Sequence, residues 1–188
     1  MDDMVKAAML KWPNVPACSG WLGLDGRGDW YMRDAAVQAE GAFQRACRVP
    51  EAGAAKGSRL RHEGLLTFIG RNYAADDVGR WYFQNGPQRV YVELAETPWV
   101  WRLSASGLVH SHTGVCVERI EHSLVDERGY FYLFTELGIG LVHSLDMHLA
   151  AERVEDGTWR PQSVHSMQLP ELYAFVPSPE KWQPLAAW

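Results

Sequence analysis

A chain of 188 residues has room for one domain, or for two small halves packed as one, and buries enough surface to fold without disulfides or metal. Its net charge of −5, with Lys and Arg scattered, lacks the basic stripe of a nucleic-acid binder or of a protein held on an anionic membrane. No apolar run approaches the roughly 18–20 residues of a membrane span, and Asp2 and Asp3 ahead of the short apolar stretch 7–10 are unlike a secretory leader, so the expected location is cytoplasmic.

In chain order, the first element is a hairpin. Trp21 to Leu24 runs into Asp25-Gly26-Arg27-Gly28 and emerges as Asp29 to Arg33, and an Asp-Gly turn between apolar runs marks a tight reversal. Asp34 is placed to cap a short helix reaching about Val49, before Pro50. The Ala/Gly-rich segment 35–57 reads as an insertion that is partly mobile. Ser58 opens the expected main helix, 58–72, with Leu65, Phe68 and Ile69 on one face.

From Gly79 the period changes to that of strands. Arg80–Gln84 and Arg89–Leu94 flank the turn Asn85-Gly86-Pro87-Gln88; Val90, Val92 and Leu94 alternate with Arg89, Tyr91 and Glu93, the period of a half-buried strand. Two further strands, 99–103 and 107–112, precede a second hairpin, Tyr130–Phe134 and Ile139–Ser144. Residues 147–154 read as a strand end or a single helical turn. Five prolines between Pro161 and Pro184 exclude long regular elements from the tail, which is expected to wrap the body through Trp159, Leu172, Tyr173 and Phe175.

Two blocks match at an offset of 50 residues: Gly79 onward and Gly129 onward each read glycine, aromatic strand, four-residue turn, apolar strand. Trp81 aligns with Phe131, Tyr82 with Tyr132 and Val92 with Val142. A second echo links Asp25–Tyr31 with Asp126–Tyr132. Small β units of this size cannot bury their apolar faces alone and must share a core. The fold class that follows is α+β: antiparallel hairpins in two repeated units, about 20–103 and 107–176, within one compact domain, with the helix packed on the sheet.

Asp25-x-x-Gly28-x-Trp30-Tyr31, the helix with Leu65 and Phe68-Ile69-x-Arg71, the Tyr82–Leu94 hairpin and Thr97-Pro98-Trp99-Val100 together resemble bacterial, proteobacterial, families of unknown function. The resemblance spans roughly residues 20–180 and departs at 35–57. It implies a small cytoplasmic α+β protein with repeated β motifs and a role in ligand sensing or signal transduction. No catalytic residues are established for such families, so no functional residue is carried over.

The segment richest in potential contacts is Gln84 to Arg89, with Arg71-Asn72-Tyr73 just upstream. Arginine clamps carboxylates and phosphates, and side-chain amides both donate and accept. The candidate ligand-binding set is Arg71, Asn72, Tyr73, Trp81, Gln84, Asn85, Gln88 and Arg89, with Tyr73 or Trp81 as a stacking wall; the bland alternative is an ordinary turn with solvated arginines. His110-x-His112 on one strand, with His143, Asp146 or His148, is a much weaker metal set, since histidines at that spacing most often face solvent. The three cysteines, Cys18, Cys47 and Cys116, lack zinc-site spacing and are expected to be reduced and mostly buried. Gly23-x-x-Gly26-x-Gly28 reads as a turn, and the pairs Asp76-Asp77 and Glu155-Asp156 as solvated carboxylates.

With no catalytic signature and no cofactor motif, the expected function is a non-catalytic small-ligand-binding or regulatory module. Its partner is a small anionic molecule, with no role for nucleic acid or membrane. The alternative is a protein–protein interaction subunit anchored by some of the nine tryptophans; a histidine-based metal enzyme ranks below both. Neither ligand identity nor oligomeric state follows from the sequence.

Overall fold

Strand pairing in the computed structural model, which describes residues 1–43 and 55–181, builds two six-stranded sheets. They fall in two compact units. The first comprises residues 1–24, 30–95 and the segment from Val176 onward; the second comprises 96–175 and the turn Asp25–Asp29. The boundary therefore lies just after Ala95, and the strand at 99–103 belongs to the second unit rather than the first.

The first unit holds helices α1 (Asp3–Lys11), α2 (Ala35–Glu40) and α3 (Glu63–Arg71). Its strands are β1 (Cys18–Leu24), β2 (Trp30–Met32), β3 (Ser58–Arg59), β4 (Tyr73–Ala75), β5 (Trp81–Asn85) and β6 (Gln88–Leu94). The sheet order is β3-β2-β1-β6-β5-β4. A meander, β4-β5-β6, lies beside a hairpin, β1-β2, and the two join through parallel pairing of β6 with β1. Alternation along the strands gives the sheet two faces. Tyr82, Gln84, Arg89, Tyr91 and Glu93 share one; Phe83, Val90, Val92, Leu22 and Tyr73 share the other, where Phe68 of α3 meets Phe83 edge-on at 5.5 Å.

The second unit repeats this plan with β7 (Trp99–Leu103), β8 (Val109–Ser111), β9 (Ile120–Asp126), β10 (Phe131–Thr135) and β11 (Gly138–Val142). Its hairpin is β7-β8, its meander β9-β10-β11, and β11 pairs in parallel with β7. An added edge strand, β12 (Gln162–Val164), lies beside β9, where the first unit instead adds β3 beside β2. Helix α4 (Met147–Glu155) lies between β11 and β12, and α5 (Leu169–Leu172) follows β12.

One turn chemistry recurs throughout. In the turns opened by Asp25, Asp76 and Asp126, the carboxylate accepts from the backbone N–H groups two and four residues on, while the carbonyl accepts from a glycine three residues on. Ser104 and Ser111 use a hydroxyl for part of the same work. The glycine in each of the five turns has φ between 79° and 85°, which is strained for any residue with a Cβ. By topology the counterpart of the Asp126 turn is the Asp76 turn; the Asp25 turn, similar in sequence to it, matches the hairpin turn at Ser104.

Several expectations change. Ser58 and Arg59 pair with Met32 and Tyr31, so the chain stays extended to His62, whose Nδ1 caps α3 by accepting from the Leu65 N–H at 3.2 Å. The helix begins at Glu63, and α1 and α4 are as long, so no single helix is the main one. Residues 147–155 are a full α-helix. Asp76 is buried by its turn and by Arg80 rather than solvated. Cys116 is exposed and Cys18 half-buried. Leu172 points outward, while Phe175 is buried, Trp159 stacks on Phe131 at 5.8 Å and Tyr173 bonds His122 at 2.8 Å. The Asp34 cap forms as expected, its carboxylate accepting from the Val37 N–H. Of the segment 35–57, residues 44–54, with Cys47, lie outside the described residues. Among the described residues no helix is long and apolar enough to cross a membrane.

Candidate functional site

Arg71 and Asn72 end α3, and both are engaged by the N-terminus. The Arg71 guanidinium donates to the Asp2 carboxylate at 3.0–3.2 Å. Buried Asn72 accepts from the Asp2 N–H at 2.9 Å and donates to the Phe68 carbonyl, closing the helix. The Arg71 hydrogen bond holds the Asp2 carboxyl below the ordinary aspartate range. These two predicted ligand contacts thus form a latch that holds the start of α1.

The latched helix borders a cleft of about 600 Å³ against the sheet face that carries Gln84, Arg89 and Tyr91. Lys6, Met9 and Leu10 of α1 form one wall, and Trp12, Pro13 and Val15 continue it. Arg89 lies 4.1 Å over the Tyr82 ring, a cation–π placement. Burial disfavours its charge, but the Tyr91 hydroxyl and the fields of Tyr82, Tyr91 and Asp76 outweigh that and hold its pKa above the ordinary arginine value. Asp76 itself is committed to Arg80 at 2.8 Å and to the Tyr91 hydroxyl at 3.1 Å. Among the described residues Arg89 makes no ion pair.

Gln84, opposite Arg89 in the ladder, is 1% exposed. Its Nε2 donates to the Gly86 carbonyl at 2.9 Å, which fixes the amide orientation; Oε1 is buried and has no hydrogen-bond partner. An unmet buried acceptor costs about 1–3 kcal/mol, so a donor that reaches this amide recovers a penalty already present.

The remaining candidates lie elsewhere. Asn85 and Gln88 line a second cleft of about 530 Å³ on the opposite face, between α3 and strands β1 and β6. Tyr73 is buried on that face, edge-on to Trp30 at 5.2 Å and 4.7 Å from the Trp81 ring, and burial raises its phenol well above the ordinary value. The eight-residue set is therefore divided four ways: Gln84 and Arg89 share one cleft, Asn85 and Gln88 another, Arg71 and Asn72 serve the latch, and Tyr73 and Trp81 pack against each other. Period-2 alternation at 84–89 would have separated the first two pairs; nothing in the sequence signals that Asp2 claims Arg71.

Sequence reasoning also missed the most charged cluster, in the second unit. Arg128 bridges Glu96 in bidentate fashion at 2.7–2.9 Å and reaches Asp126 at 2.8 Å and the Tyr132 hydroxyl at 2.9 Å. Tyr132 donates to Asp126 at 2.8 Å. Burial opposes the Arg128 charge, but its carboxylate partners more than offset this and raise its pKa, and burial raises that of Tyr132.

The histidines do not converge. His110 lies on β8 opposite Arg102. His112 lies past the strand end, where its Nδ1 accepts from the Val100 N–H and burial lowers its pKa to about 3. His143 caps the turn Ser144–Asp146, and Asp146 binds Arg102. His148 sits on α4 against the Leu145 carbonyl. Among the described residues no three His, Cys, Asp or Glu side chains are placed to share a metal ion.

A family profile described as "Protein of unknown function (DUF2946)" matches residues 1–180. No curated protein matches. The chain is similar to a crystal structure described as a DUF1285 family protein from Silicibacter pomeroyi DSS-3, at 12% identity and a TM-score of 0.47, over 74% of this chain and 72% of that one.

Proposed function

The chain belongs to that family of unknown function, and from its own geometry we propose that it is a non-catalytic module that binds a small organic anion in the cleft beside α1. One observation carries the reading: in a single cleft Arg89, a cation with no ion pair among the described residues, lies opposite Gln84, a buried amide with an unmet acceptor. A ligand with an anionic oxygen for Arg89 and an N–H or O–H donor for Gln84 satisfies both, and its apolar remainder lies against Met9, Leu10 and Trp12. The cleft wall is latched through Asp2, so occupancy couples to the seating of α1, which suits a ligand-responsive regulator in a bacterial cytoplasm.

A thermal-shift panel of small hydroxy and amido acids tests this. A ligand at 100 times its Kd stabilises by about 2.7 kcal/mol, and Arg89→Gln removes that gain. A panel in which no acid stabilises the wild type, or in which Arg89→Gln responds equally, rejects the reading.

A second reading, a protein-interaction subunit, is favoured by the apolar exposure of the N-terminal segment, where Met4 is 76% and Leu10 84% exposed beside half-exposed Trp12. Light scattering of wild type and Leu10→Asp separates the two, because only an interface loses mass with that change.

A further inference from the structure

The two units treat the same place differently. Where the hairpin joins the meander in parallel, the second unit pairs Trp99 with Gly140 and Trp101 with Val142. The two indoles stack 5.8 Å apart at 16°, and Trp101 lies so close over Gly140 that a Cβ there would fall 2.3 Å from its Nε1. The corresponding pairs in the first unit are Leu22 with Val92 and, beyond a break in register along β1, Cys18 with Val90. Two large flat rings are thus replaced by a thiol and an isobutyl group. Helix α3 does not fill the difference, because its Phe68 seats over Phe83 on β5, one strand further along.

What remains is the cleft of about 530 Å³, with Leu22, Val90 and Phe83 on the sheet side and Leu65 and Ile69 on the helix side. Its volume falls within the roughly 300–1,000 Å³ of small-molecule sites, and its walls, apolar except for Asn85 and Gln88, suit an uncharged ligand. We infer that this cleft binds a planar, uncharged aromatic molecule of about indole size, lying on the sheet where the second unit places its own indoles. The site is separate from the Arg89 cleft on the opposite face and stands or falls independently of it.

Methionine methyl groups labelled with carbon-13 report on it directly. Met32 lines this cleft, Met1 and Met9 line the other, and Met147 and Met167 lie in the second unit. Titration of the full chain with indole is expected to shift Met32 alone, and to protect Cys18 from a thiol reagent while exposed Cys116 still reacts. Cyclohexylmethanol, uncharged but not flat, is expected to bind at least tenfold more weakly. Leu22→Trp, which installs the residue of the second unit, is expected to abolish the Met32 shift; Cys18→Phe serves the same purpose should that chain fail to fold. An unmoved Met32 with unprotected Cys18, equal shifts at Met9 and Met32, or equal binding of cyclohexylmethanol overturns the inference.

Discussion

Both units pair a hairpin with a meander, yet at the shared junction the first sets Cys18 and Leu22 beside Val90 and Val92, and the second sets Trp99 and Trp101 beside Gly140 and Val142. The second junction is closed: Trp101 is 0% exposed and its Nε1 donates to the Leu133 carbonyl at 2.9 Å, and Trp99 donates to the Leu137 carbonyl at 2.7 Å. The first is open. One topology therefore serves once as a filled core and once as a walled cleft, with the choice made by a few side chains. A backbone plan fixes where a pocket can lie, and side-chain volume decides whether it does.

The strongest way to break the contrast is Gly140→Val, which copies the first unit into the second. The new side chain meets Trp101 and the Trp99 Cβ at 2.3–2.8 Å, so urea unfolding is expected to show a loss of about 3 kcal/mol or more. Trp101→Leu alone leaves a cavity and costs about 3 kcal/mol. The double variant is expected to fall short of the summed losses by on the order of 1–2 kcal/mol, because each change relieves the other. Purely additive losses would mean that the two residues do not define one packing choice.

The equivalent turns give the next effect. Asp126 holds its turn, Arg128 and Tyr132, its side chain is fully enclosed, and its Arg128 is also tied to Glu96, whereas Asp76, slightly more accessible, pairs with Arg80 and with Tyr91. Asp126→Ala is expected to cost about 2–3 kcal/mol and Asp76→Ala about 1–2 kcal/mol in the same assay. Equal losses would remove the distinction between the two turns.

Acid separates the units further. After β2 the Arg33 N–H donates to the Trp21 carbonyl, and after β8 the His112 N–H donates to the Val100 carbonyl, so the two residues are counterparts. Buried Arg33 donates to the Gly20 and Gly41 carbonyls. His112 is held neutral, with a folded pKa of about 3 against an ordinary value of 6.5. The unfolded chain therefore binds the proton first. Stability is complete above pH of about 6.5 and falls by up to about 1.4 kcal/mol per unit as pH drops toward 3. His112→Gln is expected to flatten urea midpoints between pH 7 and 5; an unchanged slope would dismiss His112 as the acid-sensitive group. The smallest effect belongs to the latch. Arg71→Ala leaves the unfolding midpoint nearly unchanged, since its ion pair is solvent-exposed, but broadens the Met4 and Met9 methyl resonances. Unaltered resonances would show that α1 is held by other contacts.

Much of this plan was legible. The Asp25-Gly26 turn located the first hairpin and the aromatic strands around other turns located the later reversals, and the match of Trp81 with Phe131 and Val92 with Val142 follows the strand bounds. The parallel junction was not legible, because no local pattern says that Cys18 meets Val90 across such a length of chain. The candidate site fared similarly. Gln84 and Arg89 were visible as a polar cluster, but which face each residue takes depends on register, and the partner of Arg71 depends on an N-terminal helix whose apolar residues show no strong stripe. Trp101 over Gly140 was hidden for the same reason: a glycine in a strand reads as weakness until the ring that occupies its space is known.

The segment from Val176 onward returns to the first unit, where Val176 bridges Arg80, Pro177 accepts from the Leu94 N–H, and Ser178 and Glu180 bond buried Glu93. During vectorial synthesis every strand of the second unit leaves the ribosome before that segment does. The N-terminal half must therefore wait, with Glu93 unsatisfied, while the later half acquires all of its strands. Domains usually mature in the order in which they are translated; here the order of completion is inverted.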